Sequence, residues 1–367
     1  MPLYMDFHII PDVTIEDVKN AHIADQAVQD KFDVKYHQFW VNEAAGTVFC
    51  LMEGPDKESC AATHREAHGN VACEIVEVEA GMYSVFMGKN PKTDHGVVLH
   101  EDGSVDSGYR FVMVVNIIGN THITSSLDYK NLYLPDKPKL FTISKIDKFQ
   151  GKHVRHKGDD SIIAAFKTPE HAIGCAIEVR NKLLKKYNDL ENSAWNVTFK
   201  IGIGCSPPLN ENSGFFEEAI KLGTRLSLIA GNKEILVSSL VNQLSDGQIF
   251  TDNLHCYRTM GPSEEKFLSN LFDITEDKLS NERFTVQSLG NDIGLSRPQL
   301  YRKVKSITGT TPNNFIRGLK MHRAFSLIKQ KQLNVSEVAL EVGYSNPSYF
   351  AKCFYKTFGI SPSKIGS

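Results

Sequence analysis

Ile293-Gly294-Leu295-Ser296-Arg297-Pro298 returns 49 positions later as Val342-Gly343-Tyr344-Ser345-Asn346-Pro347. Each copy closes a short apolar-periodic run and opens a longer amphipathic one. The closing runs are Val286, Leu289, Ile293 and Val335, Val338, Val342. Glycine permits the positive φ of a tight inter-helix turn, serine caps the next helix and proline fits its first turn. Helix, glycine turn and capped helix make a helix-turn-helix, here written twice. The run 312–329 between the copies carries Phe315, Ile316, Leu319, Ala324, Leu327 and Ile328 at helical spacing. Leu289, Ile293, Leu300, Val304, Phe350 and Phe354 are predicted core.

Charge separates the same region from the rest. From Phe284 onward there are 12 Lys/Arg and 3 Asp/Glu, a net +9, whereas the preceding 283 residues hold 29 Lys/Arg and 40 Asp/Glu, a net −11. The near-neutral total of −2 therefore conceals a basic head on an acidic body. Such asymmetry favours phosphate contacts at one end.

Over residues 284–367 the chain resembles the AraC/XylS family of transcription regulators. The matching residues are Leu300-Tyr301-Arg302-Lys303-Val304-Lys305, Gly309-Thr310-Thr311-Pro312, Phe315-Ile316-Arg317, Val338-Ala339 with Gly343-Tyr344-Ser345, and Ser348-Tyr349-Phe350 with Phe354 and Phe358-Gly359-Ile360-Ser361-Pro362. The resemblance implies two recognition helices in successive major grooves on one face of double-stranded DNA, about 34 Å apart. By position Arg297, Gln299, Tyr301, Arg302 and Lys303 lie on the first, and Asn346, Ser348, Tyr349 and Lys352 on the second. Arg302 suits a bidentate guanine contact, and Asn346 or Gln299 suits adenine; the alternative for each is a phosphate contact or solvent. RNA polymerase is a further partner open to such a regulator.

The 41% hydrophobic content is ordinary for a globular protein, and 367 residues allow two or three domains. Seven cysteines without a CxxC pair suggest reduced thiols. There is no basic-then-apolar leader and no run of 18 apolar residues, so the expectation is a soluble cytoplasmic, nucleoid-associated protein with no membrane partner.

At the other end, alternation predicts a strand over 3–10, and Thr14 caps a helix running to about residue 31. Strands over 34–42 and 47–53 flank Glu43-Ala44-Ala45-Gly46, followed by a helix over 57–68 and a strand over 72–79. The order βαββαβ is that of a ferredoxin-like sandwich. Ligand-type residues crowd this module. His22 and Asp25 are i, i+3 on the first helix, and His64 and His68 are i, i+4 on the second, so both imidazoles face one point. His8, His37, Cys50, Glu53, Glu66 and Cys73 are near in order. Imidazole with carboxylate or thiolate suits nickel, zinc or copper; exposed helix histidines with no ligand are the plain alternative. Asp25, Tyr36, Trp40-Val41, Phe49-Cys50-Leu51-Met52-Glu53-Gly54-Pro55 and His64-Arg65-Glu66-Ala67-His68-Gly69 resemble a small ferredoxin-like family with nickel-binding members. That resemblance implies a Ni(II) or other divalent transition-metal site and dimerisation. The chosen ligands are His22, His64 and His68, with Asp25 and Cys50 behind them.

Glycines and mixed charge over 81–108 read as a linker. The middle module, 109–250, alternates strands and helices: strands over 111–118, 161–166, 197–204 and 234–237, helices over 169–186 and 216–230, with 141–149 and 153–155 flanking a turn. That is an α/β sheet domain. Gly158-Asp159, Lys200-Ile201-Gly202-Ile203-Gly204 and the run from Ala219 through Arg225-Leu226 to Glu234-Ile235-Leu236-Val237-Ser238 resemble the class III nucleotide cyclase domain. That family holds two divalent ions on two aspartates. Asp159 matches one, but Asn116 stands where the other belongs, and Lys221 replaces an asparagine, while Arg225 keeps the family's arginine. An amide cannot supply the anionic charge of two-metal chemistry, so the domain is read as a degenerate, inactive cyclase fold. A polar linker over 251–281, with a short helix over 266–271, leads to the DNA-binding domain at 282–367.

The reading is a multidomain α+β protein: N-terminal ferredoxin-like module (1–80), cyclase-like sheet domain and all-α double helix-turn-helix. Its function is a dimeric, sequence-specific DNA-binding regulator whose body senses a metal or small ligand. The alternatives are a DNA-tethered nucleotide cyclase and a metal-storage module fused to a DNA-binding head.

Overall fold

The computed structural model describes residues 1–120, 136–154, 161–187, 196–210, 213–245 and 256–366. Two six-stranded sheets and a helical head account for them. Among the described residues no helix is long and apolar enough to cross a membrane.

The first sheet begins as expected. β1 (Leu3–Ile9), α1 (Ile15–Val28), β2 (Lys35–Asn42), β3 (Thr47–Glu53), α2 (Lys57–Ala67) and β4 (Glu74–Glu77) form βαββαβ with strand order β4-β1-β3-β2. Thr14 closes a capping box with Asp17 at the start of α1, and Asp56 Oδ1 accepts from Ser59 N–H at 2.8 Å to start α2. The stretch read as a linker departs from expectation. It folds into α3 (Ala80–Phe86), β5 (Lys92–Asp94) and β6 (Val97–Leu99), and the two strands extend the sheet beyond β2. Its glycines are turns between short elements: Gly88, Gly96, Gly103 and Gly108 all have positive φ. Strands of three residues are too short to show alternation, so the sequence reads as irregular.

The second sheet is β12-β11-β10-β7-β9-β8. In chain order its unit comprises β7 (Arg110–Asn120), α4 (Asp136–Lys148), β8 (Lys152–Val154), β9 (Ile162–Phe166), α5 (Pro169–Tyr187), β10 (Asn196–Ser206), α6 (Glu217–Ile229), β11 (Ile235–Val237), α7 (Ser239–Leu244) and β12 (Tyr257–Thr259). β10 pairs antiparallel with β7 and parallel with β11. Gly202 and Gly204 of β10 let α6 lie on the sheet: a Cβ at Gly202 would sit 2.2 Å from the Gly223 carbonyl oxygen. The sheets are joined by a shared apolar core in which Trp40 and Phe49 meet Val112, Val114 and Phe216. Arg110, fully buried, fastens that junction with two 2.9 Å bonds to the Asp106 carboxylate and one of 2.7 Å to the Phe86 carbonyl.

The head holds α8 (Pro262–Asp277), α9 (Val286–Ile293), α10 (Arg297–Thr308), α11 (Pro312–Gln330), α12 (Val335–Glu341), α13 (Pro347–Phe358) and α14 (Pro362–Gly366). Both expected helix-turn-helix units are present as α9–α10 and α12–α13. Gly294 caps α9 in the left-handed region at φ 76°. Leu289, Leu300, Val304, Phe350 and Phe354 are buried, and Ile293 is half-buried against them. The short helix expected over 266–271 in the polar linker is the middle of a longer one, the 16-residue α8. Its buried Phe267, Leu268, Leu271, Phe272 and Thr275 form one apolar stripe, with the exposed Lys266, Asp273 and Glu276 beside it. That stripe joins Leu226, Ile229 and Ala230 of the middle unit to the core of the head.

Candidate metal centre and nucleic-acid interface

The cleft of the first module is framed by β1, α1 and α2. Asp6 and His8 are two apart on β1 and so share a face. His22 and Asp25 descend from α1, and His64 and His68 from α2. Asp25, His64 and His68 bring one ligand atom each within 4.8 Å of one another, as do Asp6, His8 and His64. His64 is the hinge of both groups. Its Nε2 is 2.6 Å from Asp6 Oδ2 and its Nδ1 is 3.1 Å from Asp25 Oδ1. His68 Nε2 lies 3.3 Å from Asp25 Oδ1, and His8 Nε2 lies 3.3 Å from Asp6 Oδ2. The space between these elements is about 180 Å³.

Burial alone would pull the His64 imidazole down. The hydrogen bonds with Asp25 and Asp6, and their charges, outweigh it and push the ring up to about 10. Asp6 is fully buried, which favours its neutral form, yet His8 and His64 hold its carboxyl well below the usual range. Burial likewise raises Asp25, while His64 and His68 lower it and prevail. Asp6 Oδ1 accepts from the Cys50 backbone N–H at 2.8 Å. This bond lies where the β1–β3 register leaves Asp6 and Phe7 unpaired.

Of the five chosen ligands, Asp25, His64 and His68 converge. His22 lines the same cleft but stands outside both groups: its ring faces Phe39, its Nε2 lies 3.1 Å from the Gln26 amide nitrogen, and its Nδ1 is buried without a partner. Burial lowers its basicity, so it presents a neutral ring. Cys50 also lines the cleft, but burial, followed by the charges of Asp6 and Asp25, pushes its thiol well up. Metal-free it is a neutral thiol, and acting as a ligand would cost it that proton. Asp6 was missed because a lone aspartate on an alternating strand reads as a solvent-facing residue. The signal that would have found it is its i, i+2 relation to His8. The set of neutral or displaceable imidazoles, two carboxylates and an orphaned His22 nitrogen fits a divalent transition metal.

On the head, all nine chosen DNA-facing residues are exposed. They do not stand alike. Arg297 and Arg302 of α10 have no side-chain partner among the described residues. Gln299 Oε1 accepts from Ser296 N–H at 3.0 Å and Ser296 Oγ at 2.7 Å, closing the capping box of α10. Asn346 Oδ1 accepts from Tyr349 N–H at 3.0 Å and caps α13. Lys303 Nζ lies 4.4 Å above the Phe267 ring of α8. The Tyr349 ring lies tilted against Tyr344, with centroids 6.0 Å apart, while Tyr301, Ser348 and Lys352 are exposed on their helices. Charge counting also includes Lys320, which is buried and donates to the Gly343 carbonyl at 3.1 Å. It braces the second turn and is no phosphate ligand.

The cyclase-like positions are taken up internally. Asn116 donates to Ser227 Oγ at 2.7 Å. Arg225, 3% exposed, reaches α8, where its Nη2 lies 2.6 Å from both Asp273 Oδ1 and Glu276 Oε2. Lys221 pairs with the same Asp273 oxygen at 2.8 Å. Asp159 lies outside the described residues.

Residues 289–366 match the family described as a helix-turn-helix domain, and residues 4–78 match the family described as nickel responsive protein SCO4226-like. The chain thus carries an AraC-type helix-turn-helix head and an SCO4226-like N-terminal domain. Histidine kinase P4 of Formosa agariphila is 38% identical over 106 residues, 29% of this chain and 8% of that protein. The HTH-type transcriptional regulator CdhR of Pseudomonas aeruginosa is 36% identical over 80 residues, 22% of this chain and 24% of that protein. The crystal structure of SCO4226 from Streptomyces coelicolor A3(2) is 39% identical, covering 21% of this chain and 94% of that one, with a TM-score of 0.20. The chain spans less than a quarter of each of the two curated relatives.

Proposed function

We propose that the chain is a sequence-specific DNA-binding transcription regulator governed by its N-terminal metal centre. The observation that carries this reading is the pair of capped recognition helices, α10 and α13, whose outer faces present Arg297, Arg302, Ser348 and Lys352 to solvent. Similarity to transcriptional regulators through the head supports it. Arg302 is the base-reading arginine in this proposal, and Lys352 contacts phosphate. Gln299 and Asn346 set the pitch of the two helices.

Asp25, His64 and His68 would hold a divalent metal such as Ni(II), with Asp6 and His8 adjoining; bound there, it supplies fixed positive charge. His64 gives up its proton for such binding, Asp6 keeps His8 and His64 oriented, and the cleft walls limit water. The change is passed on by packed contacts: the first sheet shares a core with the second, and the second shares one with the head. The regulator acts as a dimer in this scheme. The middle unit is a non-catalytic connector, because Arg225 and Lys221 are engaged by α8.

The test is selection from random duplex DNA by purified full-length chain, metal-free and with Ni(II). A motif recovered in both, with affinity shifted by nickel, is expected. No motif under either condition overturns the regulator reading. A motif unaffected by nickel overturns the metal coupling and favours storage.

A further inference from the structure

Where the middle unit meets the head there is a second cleft, of about 410 Å³. Its apolar walls are Leu228 and Ile229 at the end of α6, Phe272 of α8, Phe315 and Leu319 of α11, and Phe358 at the end of α13, and Lys200, Asn314, His322 and three threonines add polar groups. A cleft of this volume between two packed units, mostly apolar with few polar groups, is where small ligands bind.

One wall carries a cation. Alternation on β10 places Lys200, Gly202 and Gly204 on the face covered by α6. The glycines admit the helix, and Lys200, beyond its end, turns into the cleft. Its Nζ donates to the Leu228 carbonyl at 3.1 Å. Among the described residues it forms no ion pair. The carboxylate that bears on it, Glu234, is held by Arg258 at 2.8 Å. A partly buried ammonium whose one neighbouring carboxylate is taken up by Arg258 attracts a further anion. The first turn of α11, the positive end of a 19-residue helix, lines the same cleft through Asn314 and Phe315.

The opposite wall carries an unexplained glycine. Gly318 sits within α11, its φ is not positive, and a Cβ built there would meet nothing within 4 Å. Neither backbone nor packing requires glycine at a position where alanine favours the helix. Its absent side chain leaves space in the cleft.

We propose that this cleft binds a small organic anion, an aliphatic or aromatic body bearing one carboxylate or sulfonate, with the acid on Lys200 and the body among Phe272, Phe315 and Phe358. Such a ligand touches the middle unit and the C-terminal ends of both recognition helices at once, since Thr308 and Phe358 line the cleft.

The experiment is a fluorescence titration of the full chain with 8-anilinonaphthalene-1-sulfonate, without DNA, using octanoate and its neutral amide as competitors. Saturable binding is expected, displaced by octanoate about tenfold more effectively than by octanamide. Gly318→Leu fills the cleft and weakens the dye by about tenfold, while Lys200→Met erases the advantage of octanoate over octanamide. Gly318→Ala, which favours the helix, weakens binding by about threefold and keeps the test valid should the leucine variant fail to fold. Unchanged dye affinity in the Gly318 variants, or equal competition by acid and amide on the unaltered chain, overturns the proposal. Because binding is read without DNA, its failure leaves the regulator reading standing, and failure to select a DNA motif leaves this site standing.

Discussion

The proposed metal cleft gathers its charged side chains from β1, α1 and α2 and the proposed DNA face from α10 and α13, and they are organised in opposite ways. In the cleft the central ionic groups, Asp6, Asp25 and His64, are buried and already answered: His64 lies between Asp6 and Asp25, and Asp6 also holds a backbone N–H. On the DNA face the key cations, Arg297 and Arg302, are exposed and unanswered, while Gln299 and Asn346 are consumed in capping. A buried set is preorganised, so removing one member strands the others in a poor solvent for charge. An exposed set contributes little to stability and acts only when phosphates arrive. The same residue types therefore give large stability effects in one place and pure affinity effects in the other.

The largest effect is expected at Asp6. Asp6→Ala leaves a buried imidazolium and an unsatisfied Cys50 N–H, and is expected to destabilise the N-terminal unit by about 3–5 kcal/mol in denaturant unfolding. A loss comparable to that of an exposed carboxylate would break the contrast.

Next is pH. The His64 pKa in the folded state, about 10, lies above its ordinary 6.5. The stability it contributes is therefore complete below pH 6.5 and disappears as pH rises towards 10. Asp6 and Asp25 are depressed, so their contribution is present above the ordinary carboxylate value and is lost as pH falls through their lowered values. Melting of metal-free protein is expected to decline between pH 6.5 and 10, and His64→Gln to flatten that decline. Since a metal displaces the same proton, Ni(II) affinity measured by calorimetry is expected to rise with pH over this window.

On the DNA face, Arg302→Ala is expected to cost about 1–3 kcal/mol in binding and to relax preference at one base pair while leaving the melting temperature unchanged. Asn346→Ala sharpens the comparison. As a cap its loss is expected to destabilise the head by about 1 kcal/mol, with weakening spread over all sequences. A change of preference at a single position would mark Asn346 as a base reader instead. The smallest effect is Lys352→Ala, which is expected to lower the salt slope of binding by about one while specificity persists.

The head was legible because its signals are local. A glycine at positive φ, a serine or asparagine cap and a proline in the first turn are each dictated by neighbours within a few residues, and they occur twice. The ferredoxin-like module was legible for the same reason, its strands being long enough to show alternation. What escaped was set by distant partners. The 81–108 stretch folds because β6 finds β2, and α8 runs beyond the expected 266–271 because its apolar face is covered by both α6 and α11. In the cleft, helical spacing found His64, His68 and Asp25, but the cross-strand relation of Asp6 to α2 has no counterpart in sequence order. His22 was chosen on spacing, yet its ring is pressed by the β5–β6 turn, where a Cβ at Gly96 would lie 2.6 Å from His22 Cδ2.

The clamp between Arg225 and α8 has a consequence for what else that side chain can bind. Any phosphate arriving at Arg225 must evict two carboxylates fixed on a helix, and evicting them loosens the support beneath the first recognition helix. Nucleotide chemistry and a firmly seated head are thus competing uses of a single guanidinium. The seat of the head on the middle unit therefore depends on keeping that guanidinium occupied.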